Sequence, residues 1–198
     1  MSSKRIAGII ALLLIIAPTS DAWGFDGSRK GFVIGGGLGF APIARWSAPD
    51  VLLLNEVGDT LGTEVFNDTR VGVGVNILLG YAWNERNMIV YEGNASGYKS
   101  RKLAGDLVIT QGFYGAAWYH YYGPMGATFF SVIGVGLYQF DIENSPDFDA
   151  GIGGLLGGGY EFSPHYQVGL YISTGRTSIL STDFSHLNIS ALVSAVAF

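Results

Sequence analysis

Between residues 71 and 84 the sequence alternates almost without a break. Val71, Val73, Val75, Ile77, Leu79, Tyr81 and Trp83 hold the odd places, and Gly72, Gly74, Asn76, Leu78, Gly80, Ala82 and Asn84 the even ones. A period of two marks a β-strand, because successive side chains leave opposite faces of the backbone. One face here is bulky and apolar; the other is mainly small or polar. Such a strand divides two unlike environments.

The same division recurs along the chain. Over 31–41 the bulky face is Phe32, Ile34, Leu38 and Phe40, with glycines opposite. Over 128–140, Phe129, Ile133, Val135 and Leu137 oppose Gly134 and Gly136. Over 151–162 the apolar set is Ile152, Leu156, Tyr160 and Phe162, and over 166–176 it is Tyr166, Val168, Leu170 and Ile172. In 88–98, Ile89 and Tyr91 oppose Glu92, Asn94 and Ser96. The segment 107–122 carries aromatics on both faces, so parity does not orient it. With 187–198 the set is eight strands.

Charged residues make up 14% of the chain, against about 25% in soluble domains. No internal apolar run reaches the roughly 18 residues of a membrane-spanning helix. Low charge spread through short alternating segments is the pattern of a transmembrane β-barrel. A soluble eight-stranded calyx would need the reverse, a polar exterior around an apolar interior. The chain has no cysteine, which excludes thiolate metal sites and cysteine nucleophiles. The formal charge of −5, with no basic face, speaks against a nucleic-acid partner.

Lys4 and Arg5 precede the apolar run 6–17, then Pro18 and the small-residue pattern Ser20-Asp21-Ala22. That order matches a secretory signal peptide. The expected organisation is therefore a signal peptide over 1–22, a periplasmic lead-in over 23–30 and a barrel domain over 31–198. Short turns are expected near 84–87, 123–126 and 163–165, and longer loops at 42–68, 99–106, 141–150 and 177–186. Short turns at one end and long loops at the other is the arrangement of outer-membrane barrels, with both termini periplasmic. Trp83, Tyr121, Tyr122 and Tyr160 fall near the periplasmic ends, where an aromatic girdle belongs.

Gly35-Gly36-Gly37-Leu38-Gly39-Phe40, Gly134-Val135-Gly136-Leu137-Tyr138 and Gly157-Gly158-Gly159-Tyr160-Glu161-Phe162 are strand motifs of one kind. The chain closes on Phe198, preceded on the same face by Val196 and Leu192. Over about residues 28–198 the pattern resembles the small outer-membrane β-barrel superfamily that includes OmpA transmembrane domains and OmpX. The resemblance implies an eight-stranded antiparallel barrel in the bacterial outer membrane. It implies no particular activity, since members of one fold differ in role.

Eight strands enclose an interior just wide enough to be filled by side chains, although a glycine-rich inner face would leave some room. Parity points Glu92 into the lumen, with Asn76 and Asn94 as companions and Arg70 as a basic partner. That group reads either as a structural polar network or as a gate or proton-linked site. Glu161 is expected as a solvated charge at the periplasmic rim. His186 and Ser190 share a face but stand about 13 Å apart along the strand, too far for a nucleophile and its base. His120 and His165 fall near turns. No catalytic, metal or cofactor site is expected.

Asp141, Glu143, Asp147 and Asp149 form an acidic loop whose spacing matches no EF-hand. Lys99, Arg101 and Lys102 form a basic cluster suited to lipopolysaccharide phosphates. The expected loop 42–68 carries the apolar run Val51-Leu52-Leu53-Leu54, which can anchor a protein partner, cap the barrel or extend a hairpin. The expected role is a monomeric surface or structural barrel contacting outer-membrane lipid or a partner. A narrow solute or ion pathway and a lipid A-modifying enzyme are the alternatives. Leu79→Arg on the lipid face is expected to cost far more than Gly80→Ser on the lumen face.

Overall fold

The computed structural model describes residues 28–54, 60–100, 107–143, 149–179 and 182–198, and side chains within these except 49–66 and 179. The expected signal peptide and the lead-in residues 23–27 lie outside the described residues. Eight strands follow in order: β1 (Gly31–Leu54), β2 (Thr60–Asn84), β3 (Asn87–Ser100), β4 (Leu107–Tyr121), β5 (Thr128–Ile142), β6 (Gly151–Ser163), β7 (Tyr166–Ile179) and β8 (Thr182–Ala197). Each pairs antiparallel with the next, and β8 pairs with β1 to close a barrel. Closure leaves no sheet edge within the wall, so every ladder group there has a partner.

Direct partners trace a stagger around the wall. Ile34 faces Leu79, then Tyr91, Ala116, Val135, Gly154, Thr174 and Leu187, and the path returns to β1 at Arg45. Strands staggered in this way are strongly tilted. The height of a residue in the barrel therefore depends on its strand as well as its place along it.

The faces follow the alternation. Phe32, Leu38, Ile77, Leu79, Ile133, Leu137, Leu156 and Leu170 are exposed on the outer wall, while Asn76, Glu92, Asn94, Ser96 and Ser173 are buried inside. Closure also orients β4, with Ile109, Gln111, Phe113, Tyr119 and Tyr121 inside and Val108 and Trp118 outside. Trp83, Tyr122, Phe162 and Tyr166 stay exposed at the short-turn end, but Tyr121 points into the lumen and leaves the expected girdle. Leu192, Val196 and Phe198 face inward as well, so the apolar alternation of the last strand lines the lumen.

The expected loop 42–68 is mostly paired strand. A bulge between Ala41 and Ala44 shifts the register, and both alanines are buried. The alternation therefore skips a step where the segment appeared to end. Pairing with β8 stops at Ser47 and pairing of β2 with β3 stops at Val73. Beyond them the pairs from Ala48↔Phe66 to Leu54↔Thr60 continue as a two-stranded hairpin above the rim. The strands likewise run into the other expected loops, to Ser100, Ile142 and Ile179 and from Thr182.

Candidate functional site

Among the described residues the buried polar side chains gather in the lumen, in layers. At the short-turn end, Arg29 enters from the lead-in, fully buried. Its guanidinium is ion-paired with Glu161, donates to the Glu85 carbonyl and lies 3.8 Å over the Tyr121 ring. Its backbone N–H donates to the Glu85 carboxylate at 3.0 Å. Glu161 also accepts from the Gly126 N–H at 2.8 Å, and the Tyr121 hydroxyl donates to Gln167 at 2.9 Å. Phe198 closes the layer, with the Arg29 guanidinium 5.9 Å from its ring. The expectation of a solvated Glu161 is therefore corrected. Buried charges persist when paired and hydrogen-bonded, and Arg29 supplies the pair.

Glu92 sits in the layer above, fully buried. The Tyr119 hydroxyl donates to Glu92 Oε2 at 2.7 Å, and Asn94 Nδ2 donates to Oε1 at 3.3 Å. Ser190 donates to Asn94 Oδ1 at 3.2 Å, and Ser194 to Asn76 Oδ1 at 3.1 Å. Neutral donors from β3 and β4 thus bond the carboxylate, and hydroxyls of β8 hold the neighbouring Asn94 and Asn76. Arg70 is not among them. It pairs with Asp68 at 3.0 Å near the opposite end, eight positions up β2 from Leu78, the partner of Glu92. At a strand rise of about 3.4 Å per residue that separation is far beyond contact.

The third layer is aromatic. His186 stacks on Tyr138 at 5.1 Å and packs on Phe140 at 4.6 Å, and Trp46 lies 5.9 Å from Phe140. Thr177 Oγ1 meets His186 Nε2 at 2.7 Å. Ser190 and His186 thus bond to separate partners, as their spacing along one strand requires. The Tyr138 side chain packs directly on the backbone of Gly175, where a Cβ would fall 2.3 Å from the Tyr138 Cβ. Gly80 is similarly closed, with the Ile89 carbonyl 2.1 Å from a Cβ position. At Gly175 the missing side chain thus admits the bulky Tyr138, and at Gly80 it admits the backbone of the next strand. Gly80→Ser therefore meets the backbone of the next strand.

The remaining candidates scatter. Lys99 is exposed on the outer wall of β3, while Arg101, Lys102 and Asp147 lie outside the described residues. Glu143 accepts from the Val108 N–H at 3.2 Å, and Asp149 bridges to Ser178. Among the described residues no three His, Asp or Glu side chains converge as metal ligands. His120 bonds Asn87 at 2.8 Å and His165 the Val196 carbonyl at 3.0 Å, both at the short-turn end. Sequence reading missed Arg29, Tyr121 and Gln167. Arg29 lies outside any alternating segment, and nothing local marks a lead-in residue as a lumen residue.

No family model and no curated protein matches the sequence. Solved structures do match the fold. The outer membrane protein OprG from Pseudomonas aeruginosa is similar with a TM-score of 0.50 at 15% identity, over 86% of this chain and 97% of that one. Neisserial surface protein A is similar with a TM-score of 0.47 at 14% identity, over 83% of this chain and 96% of that one. A closed barrel with an apolar outside and a polar lumen is the architecture of outer-membrane proteins. By its fold, this chain is a small closed eight-stranded antiparallel β-barrel, similar to that of the outer membrane protein OprG.

Proposed function

We propose that this barrel works at the outer surface of the outer membrane as a non-enzymatic interaction or envelope-structural protein. The observation that carries the reading is the filled lumen. Three layers of buried side chains, Arg29–Glu161, Glu92–Tyr119 and Tyr138–His186, occupy the interior at successive heights and support a plugged lumen. A solute pathway needs a continuous gap, and eight strands leave little beyond side-chain volume. In this reading the Glu92 network holds the wall together, and the short-turn end faces the periplasm.

The contact element is the β1–β2 hairpin. Above the rim it has neither β8 nor β3 beside it, so both edges offer backbone donors and acceptors. Its apolar run Val51–Leu54 suits a protein partner, which adds a strand along the edge.

Planar-bilayer recording of the refolded barrel tests the lumen. The expected result is electrical silence in both the parent and Glu92→Gln. Discrete openings that change with Glu92→Gln would replace this reading with the pathway. Shortening the hairpin, by replacing 50–64 with Asn-Gly, should leave a folded barrel that has lost surface binding.

A further inference from the structure

One level of the lumen lies between the Glu92 network and the aromatic layer. Ser190 donates to Asn94 Oδ1 at 3.2 Å, so side chains of β8 and β3 meet across the lumen at that height. One inward step towards the hairpin end stand Asn188 on β8 and Ser96 on β3. Ser96 is the direct partner of Gln111 on β4. Gln111 Nε2 donates to the Leu187 carbonyl at 3.5 Å, so this side chain crosses to the strand of Asn188. Ser96, Gln111 and Asn188 therefore share one height, and all three are almost wholly buried.

Among the described residues, Ser96 Oγ, Gln111 Oε1 and both Oδ1 and Nδ2 of Asn188 have no hydrogen-bond partner. The contrast with the level below is direct. There a serine on β8 bonds an asparagine on β3. Here the same two residue types face each other with the strands exchanged, and they do not bond. One further step up, the Tyr98 hydroxyl, Trp46 Nε1 and His186 Nδ1 are also buried without a partner. Native proteins leave few buried polar groups unbonded, since each is costly.

The wall between the two flanks leaves room for a bridge. Ala44 on β1 is the direct partner of Asn188, and Gly74 on β2 of Ser96. Ala41 and Gly72 pair between them. These inward side chains reach at most one carbon into the lumen. The Asn94–Ser190 bond and Leu192, which lies against Gly74, form a floor. The rings of Trp46, Phe140 and His186 pack on one another as a roof. The outer face of the wall is lipid, so solvent does not reach these atoms through it.

We propose that Ser96, Gln111 and Asn188 bind a cluster of ordered water molecules enclosed in the lumen. Their free atoms belong to neutral amides and a hydroxyl, and together they offer donors and acceptors. That mixture suits water and not an ion. A buried water makes about three hydrogen bonds, so about two waters satisfy this level. The cluster joins the Glu92 network on one side to the aromatic layer on the other, and gives the packed lumen one wet level. This goes beyond the surface reading above, and depends on neither the hairpin nor the silence of the lumen.

The test is nuclear magnetic resonance of the full isotope-labelled barrel refolded in phosphocholine micelles, checked by heat-modifiable gel migration. Laboratory-frame and rotating-frame Overhauser spectra together separate dipolar contact with long-lived water from proton exchange. The parent is expected to show dipolar cross-peaks between water and the side-chain amide protons of Gln111 and Asn188. Asn188→Leu should abolish the peak at Gln111, and the milder Ser96→Ala should reduce both. Thr110→Ala, the neighbour of Gln111 on the exposed face of β4, should leave them in place. Ser96→Ala should also lower the urea midpoint, because a bonded hydroxyl is lost. A raised midpoint would mean that the hydroxyl has no partner, and overturns the site. So does a folded parent without long-lived water, or a peak at Gln111 that survives both changes. A solute other than water held by the barrel in native mass spectrometry overturns it in favour of a small polar ligand.

Discussion

The guanidinium of Arg29 is buried against the carboxylate of Glu161, 132 positions away in the chain, inside the short-turn mouth of the barrel. Both side chains are almost wholly removed from solvent. Removing one partner from such a pair leaves an uncompensated buried charge, at a cost of about 3–5 kcal/mol. Glu161→Gln and Arg29→Met should each destabilise the refolded barrel by that order in urea unfolding. The double variant should cost clearly less than the two together, as expected for coupled sites. Singles no worse than Arg86→Gln would show that the pair is not structural.

The outer wall has a depth profile. On β2 Ile77 lies midway between Trp83 and Val71, all three exposed, so it marks the centre of the apolar band. Ile77→Arg should cost about 2–4 kcal/mol in lipid, and Val71→Arg, at the edge, about 0–1. Equal costs at both positions would contradict the placement of the band.

The fill of the lumen has its own test at Gly175. A Cβ there falls 2.3 Å from the Tyr138 Cβ, so one of the two strands must move. Gly175→Ala should destabilise by about 1–3 kcal/mol, the usual cost of overpacking. In a double-mutant cycle with Tyr138→Gly, which removes that Cβ, the cost of Gly175→Ala should shrink in the same unfolding assay. Without any such recovery, the crowding is not the cause.

Glu92 depends on neutral donors. Tyr119→Phe removes the 2.7 Å hydrogen bond and leaves a buried carboxylate oxygen short of a partner, at about 1–3 kcal/mol. Tyr122→Phe removes a bond of 3.0 Å between exposed groups, to Ser131, and should cost little. A thermal melt in lipid vesicles that ranks the two variants the other way would sink the network as a stabilising element.

Much of the fold was legible from period-two alternation alone. An apolar face against a small or polar face assigns the residues of 31–41, 71–84, 88–98, 128–140, 151–162 and 166–176 to the wall or the lumen, because lipid and the interior demand opposite chemistry. Two stretches resisted. In β4 and the residue after it, Trp118 and Tyr122 alternate with Tyr119 and Tyr121, and an aromatic suits either side; only closure against β3 and β5 decides. In β1 the bulge after Ala41 breaks the alternation, so the continuation to Leu54 reads as a loop.

The sequence by itself determined which face each strand shows, since that is a local property of the backbone and its side chains. Which residues meet was decided by the tertiary structure. Parity placed Arg70 and Glu92 in one lumen, but the stagger of the closed wall sets them at different heights, and so Arg70 meets Asp68 while Glu92 meets Tyr119. Chain closure likewise brings Arg29 against Glu161. Height in a tilted barrel is a sum over strands, and no single segment of the sequence carries it.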